Sequence, residues 1–149
     1  MAVNVADVEV ATPLHCVRDA VNVRLLFDNG ADMMVWDQSR DTPAHYAASR
    51  SNISCLETLI EAGFDIHTRG FLARTVLHTA VRYRLTSTTK YLLEEGGGEA
   101  ILYAKDSFGR TPLAAALDSD FDSRCVIEVL LKYGADRELK AADRDRLAC

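Results

Sequence analysis

Residues 41–65 read DTPAHYAASRSNISCLETLIEAGFD, and this stretch decides the fold. It spells out one complete helix-turn-helix unit. Thr42 can cap a helix through its hydroxyl, Pro43 takes the first helical position, where no N–H is missed, and Ala44, Ala47 and Ala48 keep that helix slim. In a second helix the apolar pair Cys55 and Leu56 recurs one turn later as Leu59 and Ile60, and Gly63 stands where a C-terminal cap needs positive φ. Two helices this short cannot cover their own inner faces, so the unit has to stack on neighbours of the same shape.

The neighbours are visible on either side. T-P-L-H at 12–15, T-P-A-H at 42–45, T-V-L-H at 75–78 and T-P-L-A at 111–114 lie 30, 33 and 36 residues apart. Each is followed by a glycine, at 30, 63, 96 or 134, and three of these continue as Gly30-Ala31-Asp32, Gly63-Phe64-Asp65 and Gly134-Ala135-Asp136. The pattern resembles the ankyrin repeat, whose unit of about 33 residues carries a T-P-L-H-x-A signature. The resemblance covers Asp7 to Asp136 and implies an all-α repeat solenoid of stacked helix-turn-helix repeats joined by β-turn fingers. The whole chain, 1–149, reads as one domain, with repeats near 7–36, 37–69, 70–105 and 106–136 and a polar cap or tail at 137–149.

Composition narrows the class. A hydrophobic content of 48% with 26% charged residues is that of a folded, soluble protein. The opening MAVNVADVEV has no basic cluster and meets Asp7 early, so no secretory signal is expected, and no apolar run approaches the roughly 20 residues of a membrane span. A cytoplasmic protein is the expectation, with the nucleus also open. Cys16, Cys55, Cys125 and Cys149 lack the close pairing of a zinc site and read as reduced thiols. The net charge of −5 argues against general nucleic-acid binding, which needs a basic surface to neutralise phosphates.

Departures from the repeat pattern predict local irregularities. Asp7 to Ala11 is an incomplete leading turn, with Val10 in place of a glycine. Thr12 and Gly30 are 18 apart where Thr42 and Gly63 are 21 apart, so the first repeat lacks about three residues, and Asn22 falls where an inner isoleucine is expected. The first full finger, Met33 to Asp41, has Arg40 in place of glycine, and a side chain there should distort the tip. The second finger, Thr68 to Arg74, has the tip Gly70-Phe71-Leu72-Ala73, which lacks the usual aspartate and turns Phe71 and Leu72 outward. Thr88 and Thr89 replace Ile-Val in the third repeat, which should pack least tightly, and Gly96 to Gly98 should break the chain into a mobile or rebuilt connection. Two extra residues lie within Ser119–Ser123, and the charged tail after Asp136 is too short for another unit.

No nucleophile-base pair, phosphate loop or metal motif is present, so no enzyme activity, cofactor or metal is expected. His15, His45 and His78, each three residues after a capping threonine, are structural in the family, where this histidine bonds to the backbone of an adjacent finger; His67 reads as solvated. The resemblance further implies that a partner protein binds the finger tips and the exposed side of each first helix. Those positions are Trp36, Gln38, Ser39, Asp41, Tyr46, Ser49 and Arg50, then Phe71, Leu72, Arg74, Thr79, Arg82 and Tyr83, then Ser107, Phe108, Arg110, Ala115 and Asp118. Arg50, Arg74, Arg82 and Arg110 would project toward one groove among aromatics, a composition suited to an acidic or phosphorylated segment; the contrary reading has them packed along fingers and paired with Asp41, Asp106 or Asp118. The leading expectation is a non-enzymatic adaptor or inhibitor, with no nucleic-acid or membrane partner. The alternative is a small-ligand site or atypical enzyme with a pocket lined by Tyr46, Arg50, Arg82 and Tyr83. A monomer is favoured, with self-association through the fourth repeat left open.

Overall fold

The structure, a computed structural model, describes residues 4–6, 11–95, 99–119, 122–138 and 141–147, all in helices and turns. The first tier pairs α1 (Pro13–Cys16) with α2 (Ala20–Asp28), the second α3 (Pro43–Ser49) with α4 (Ile53–Glu61), and the third α5 (Val76–Arg82) with α6 (Thr86–Glu94). A short α7 (Glu99–Leu102) precedes the fourth tier, α8 (Pro112–Leu117) and α9 (Arg124–Lys132), and α10 (Ala141–Leu147) follows it. The first helices α1, α3, α5 and α8 pack on one another in one row, while α2 packs on α4 and α6 on α9 in a second row. Leu14, Leu56, Leu77, Leu113 and Leu130 are buried between the rows, which gives each tier a small core continuous with the next. The chain is therefore an all-α repeat solenoid.

The histidines bind the tiers together. Nδ1 of His15, His45 and His78 lies 3.0, 2.8 and 3.0 Å from the hydroxyl of Thr12, Thr42 and Thr75, and accepts the amide of the same threonine. Nε2 then meets the carbonyl of Asp41, Arg74 or Arg110 at 3.1, 3.1 and 3.0 Å. A carbonyl can only accept, so Nε2 carries the proton and each ring is the neutral Nε2–H tautomer. Each acceptor is the residue just before the next capping threonine, so the bond always crosses to the adjacent finger. The series stops at Thr111 because Ala114 stands where histidine would be, and the Thr111 hydroxyl takes the Ala114 amide instead, at 3.3 Å.

Several departures are resolved in ways the sequence did not suggest. The residues missing from the first repeat come out of α1, and Asp19 caps α2 by accepting the Asn22 amide at 2.9 Å. That start places Val23 in the core and leaves Asn22 exposed against Asp19, so Asn22 replaces no inner residue. The Arg40 tip is not distorted. Arg40 adopts φ +62° and the finger keeps its bonds, Asp37 N–H to Asp41 O at 3.0 Å and Asp41 N–H to Asp37 Oδ1 at 2.8 Å. The same two bonds close the third finger, from Asp106 to Arg110, where Gly109 takes φ +73°. Left-handed backbone costs a side-chain-bearing residue about 1–2 kcal/mol, which the turn's hydrogen bonds outweigh at Arg40.

Residues 99–102, between the third and fourth tiers, form the helix α7. Ile101 and Leu102 of α7 are buried, and the Tyr103 hydroxyl donates to Gly134 O at 2.6 Å, fastening the added turn to the fourth tier. The charged tail forms the 3₁₀ turn Ala135–Glu138 and then α10, which packs against α8 with Leu147 against the core. The expectations for Asp7–Val10, for the glycine run 96–98, for Asp120 and Phe121 in the fourth repeat and for Cys149 lie outside the described residues.

Thr88 and Thr89 are both fully buried. The Thr88 hydroxyl meets Ser51 Oγ at 3.0 Å, whereas Thr89 Oγ1 has no hydrogen-bond partner among the described residues. Here the second row opens: between α4 and α6 lies a groove of about 710 Å³, bordered by Glu57, Ile60, Glu61, Lys90, Tyr91 and Glu94. An orphaned buried hydroxyl costs about 1–3 kcal/mol, so Thr89→Val is expected to raise the unfolding free energy by about 1–2 kcal/mol in urea titration. Thr88→Val, which gives up the bond to Ser51, should give no gain. Equal stabilisation by the two changes would contradict this reading.

Candidate functional site

The finger tips and the ends of the first-row helices converge on one cleft of about 170 Å³ between the first and second fingers. Ser39, Asp41, Phe71, Arg74, Thr79, Arg82 and Tyr83 line it, and it is open to solvent. Of the partner-binding residues expected from sequence, it gathers Phe71, Arg74, Arg82 and Tyr83. Tyr83 and Phe71 are 52% and 47% exposed, large ring surfaces left open among the described residues. Thr79 is a correction: its side chain is buried, and it forms part of the wall rather than an exposed contact.

The cleft follows from the chemistry of the second finger. In the third finger the buried Asp106 accepts the amides of Phe108 and Arg110 through Oδ1, at 2.9 and 3.0 Å. The second finger has Gly70 at that register, so the Leu72 and Arg74 amides have no such carboxylate, and it is the Phe71 amide that donates to a side chain, Asp41 Oδ1 of the first finger, at 3.0 Å. Gly70 N–H still bonds to Arg74 O at 2.8 Å, but the tip becomes a 3₁₀ turn, Phe71–Ala73, in which Leu72 and Ala73 adopt φ +55° and +54°. Arg69 donates to Ala73 O at 2.9 Å and also to the carbonyl of Lys105, and Ser107 N–H donates to Leu72 O at 2.8 Å, so this turn is braced from both sides. Arg69 was not among the expected residues; nothing in its sequence neighbourhood marks it.

The four arginines do not share one groove. Arg110 pairs with Asp106 at 3.0 Å and with Asp118 at 3.5 Å, and its guanidinium stands 4.8 Å from the Phe108 ring centre. Arg50 donates to His15 O at 3.3 Å and lies 5.3 Å from the Tyr46 ring centre. Tyr46 is itself a strut, donating to Asp37 Oδ2 at 2.6 Å and meeting His15 edge to face. Arg74 and Arg82 are the two that face the cleft. Burial, followed by the adjacent Arg82, pulls the Arg74 guanidinium below its ordinary pKa, with Arg110 acting the same way and Asp106 and Asp41 opposing.

The remaining expected positions lie outside the cleft. Trp36 and Phe108 are 50% and 63% exposed, Gln38 is exposed on the first finger tip, and Leu72 is half-buried under the second. His67 is exposed. Among the described residues, no group of three His, Cys, Asp or Glu side chains is placed to hold a metal ion, and no helix is long and apolar enough to cross a membrane.

Comparison with known proteins agrees with this architecture. The family description "Ankyrin repeats (3 copies)" matches residues 69–141, and "Ankyrin repeats (many copies)" matches residues 21–60. The chain is 31% identical to the B-cell lymphoma 3 protein homolog of Mus musculus over 132 residues, which covers 84% of this chain and 29% of that protein. It is 31% identical over 142 residues to the transient receptor potential cation channel subfamily A member 1 homolog of Caenorhabditis elegans, covering 91% of this chain and 11% of that one. A putative ankyrin repeat protein of Rickettsia bellii is 38% identical over 84 residues, 56% of this chain and 30% of that protein. The chain thus spans less than a third of the length of each of these relatives.

Proposed function

The chain belongs to the ankyrin repeat family, typically a non-enzymatic interaction fold, and from that premise we propose that it is an adaptor or inhibitor holding a segment of another protein on its concave groove and finger tips. The observation that carries this reading is the cleft between the first two fingers, where the side chains of Phe71, Arg82 and Tyr83 stand together exposed. Aromatic and arginine side chains lose little entropy per contact and bind strongly when a partner seals them from water. The two cationic walls favour an acidic segment. We place the encounter in the cytoplasm or nucleus.

The small-ligand alternative is less well supported. Such sites are enclosed and commonly about 300–1,000 Å³, whereas this cleft is about 170 Å³ and open, and the larger groove on the second row is open and bordered by glutamates. Its expected lining is also divided, since Tyr46 and Arg50 are engaged elsewhere. Self-association through the fourth tier is disfavoured because α10 lies against α8.

Affinity capture from native lysate with wild type and a Phe71→Ala/Arg82→Glu variant in parallel tests the proposal. Both side chains are exposed, so the variant should keep its melting temperature and lose at least about tenfold in affinity for the captured protein, the scale of a central hot spot. Undiminished binding by the variant would remove the cleft from the interface.

A further inference from the structure

The second and third fingers are closed by the same backbone bond, Gly70 N–H to Arg74 O and Asp106 N–H to Arg110 O, but start from different residues. In the third, Arg110 follows Asp106 by four residues, and its Nε and Nη2 lie 3.2 and 3.0 Å from Asp106 Oδ2. In the second, Arg74 follows Gly70 by four residues, and no carboxylate comes with it. The backbone could not accommodate one, because a Cβ on Gly70 would overlap Asp41 Oδ1 and lie 2.8 Å from His45 Nε2. Asp41 spends that oxygen on the Phe71 amide. Among the described residues, the guanidinium groups of Arg74 and Arg82 form neither a hydrogen bond nor an ion pair. Two successive side-chain-bearing residues at positive φ, Leu72 and Ala73, hold the tip in this form.

We propose that the cleft is a carboxylate site completed in trans: a glutamate or aspartate of the bound segment lies between Arg74 and Arg82 and supplies the charge that Gly70 does not, while Phe71 and Tyr83 hold the apolar residue beside it. This rests on the docking function proposed above and makes it specific. Charge favours a carboxylate over a phosphate. Two guanidinium groups and the Asp41 carboxylate leave the cleft one positive charge in excess, which a carboxylate balances, whereas a phosphomonoester at about −1.5 to −2 would overshoot beside Asp41. The small volume agrees, at about 170 Å³.

Selection of phage-displayed random peptides on the full chain tests this. Winning peptides should be enriched in Glu or Asp next to an aromatic or aliphatic residue. Synthesised singly, they should lose about tenfold or more in affinity when that acid becomes its amide, the scale of a charge-assisted contact. Arg74→Gln/Arg82→Gln should erase the difference between acid and amide peptides while leaving the melting temperature within a few degrees. Peptides that depend on Phe71 and Tyr83 but show no acidic preference would overturn the carboxylate site and leave the docking function standing. A phosphoserine peptide binding more tightly than its glutamate counterpart would overturn the choice of carboxylate. Peptides indifferent to Phe71→Ala and Tyr83→Ala, or no binders at all, would remove both.

Discussion

Replacing Gly70 by alanine is expected to destabilise the protein by about 3 kcal/mol, from overpacking and the loss of up to two buried hydrogen bonds. The added methyl would meet Asp41 Oδ1, His45 Nε2 at 2.8 Å and His45 Cδ2 at 3.0 Å. Neither neighbour can give way freely. Asp41 Oδ1 holds the Phe71 amide, and the His45 ring is fixed at both nitrogens, between Thr42 and the Arg74 carbonyl. Moving the ring breaks the link from the second tier to the second finger; moving the carboxylate strands an amide of the strained turn. Gly109→Ala is the control, since a Cβ there meets nothing within 4 Å and only its φ of +73° is penalised, by about 1–2 kcal/mol. In urea titrations Gly70→Ala should lose clearly more than Gly109→Ala. Combining it with Asp41→Ala should be less than additive, because one of the two collisions is then absent. Equal losses at the two glycines would show that the second finger relaxes around the methyl and that the close approach is not a constraint.

The parts of this fold legible in the sequence are those whose signals are local. Thr42-Pro43 starts a helix, Gly63 at φ +98° ends one, and a histidine three residues after the threonine has a geometry fixed within one turn. Where a residue's fate depends on which neighbour arrives in space, the sequence falls short. By sequence Arg74 and Arg110 end a finger and Arg50 and Arg82 end a first helix, positions that all read toward one face, yet Arg110 has Asp106 and Asp118 within reach and Arg50 has the His15 carbonyl, and only the folded chain separates these from Arg74 and Arg82. Arg40 looked obstructive because glycine is the easier residue at positive φ; the turn's own hydrogen bonds prove stronger than that preference. Asn22 was misplaced because shortening α1 moves the start of α2, and one residue of slip turns an inner position outward. The buried pair Ile101 and Leu102 stood in plain view, but after a glycine run its helical turn carries no cap signal.

Acidification from about pH 7 to about pH 4 is expected to weaken the stack by about 3 kcal/mol through His78 alone. Burial lowers the His78 pKa from 6.5 to about 4, against smaller opposing effects of the Arg110 carbonyl and Asp106. The folded ring therefore stays neutral where the unfolded ring takes a proton. Its contribution is complete above about 6.5, falls as the pH drops, and is gone at about 4, where the native ring also titrates. Geometry gives the same sign, because a proton on Nδ1 would confront the Thr75 amide that now donates to it. His45 is displaced in the same direction, again by burial first, with Asp41, the Arg74 carbonyl and Asp37 opposing, so it adds to the loss. Asp106 belongs to a different window: despite its burial, the Arg110 and Phe108 amides and the Arg110 guanidinium hold its carboxyl below the ordinary value, so its loss begins only under about pH 4. Denaturation in urea across this range should show the decline in wild type, and His78→Gln should be less stable at neutral pH but flatter on acidification. A variant slope as steep as the wild-type one would move the effect to other groups. Since a proton on Nδ1 leaves the Nε2–H bond to the Arg110 carbonyl in place but removes the acceptor for the Thr75 amide, the start of α5 should loosen, and the Thr75 amide should exchange faster with solvent in step with the titration.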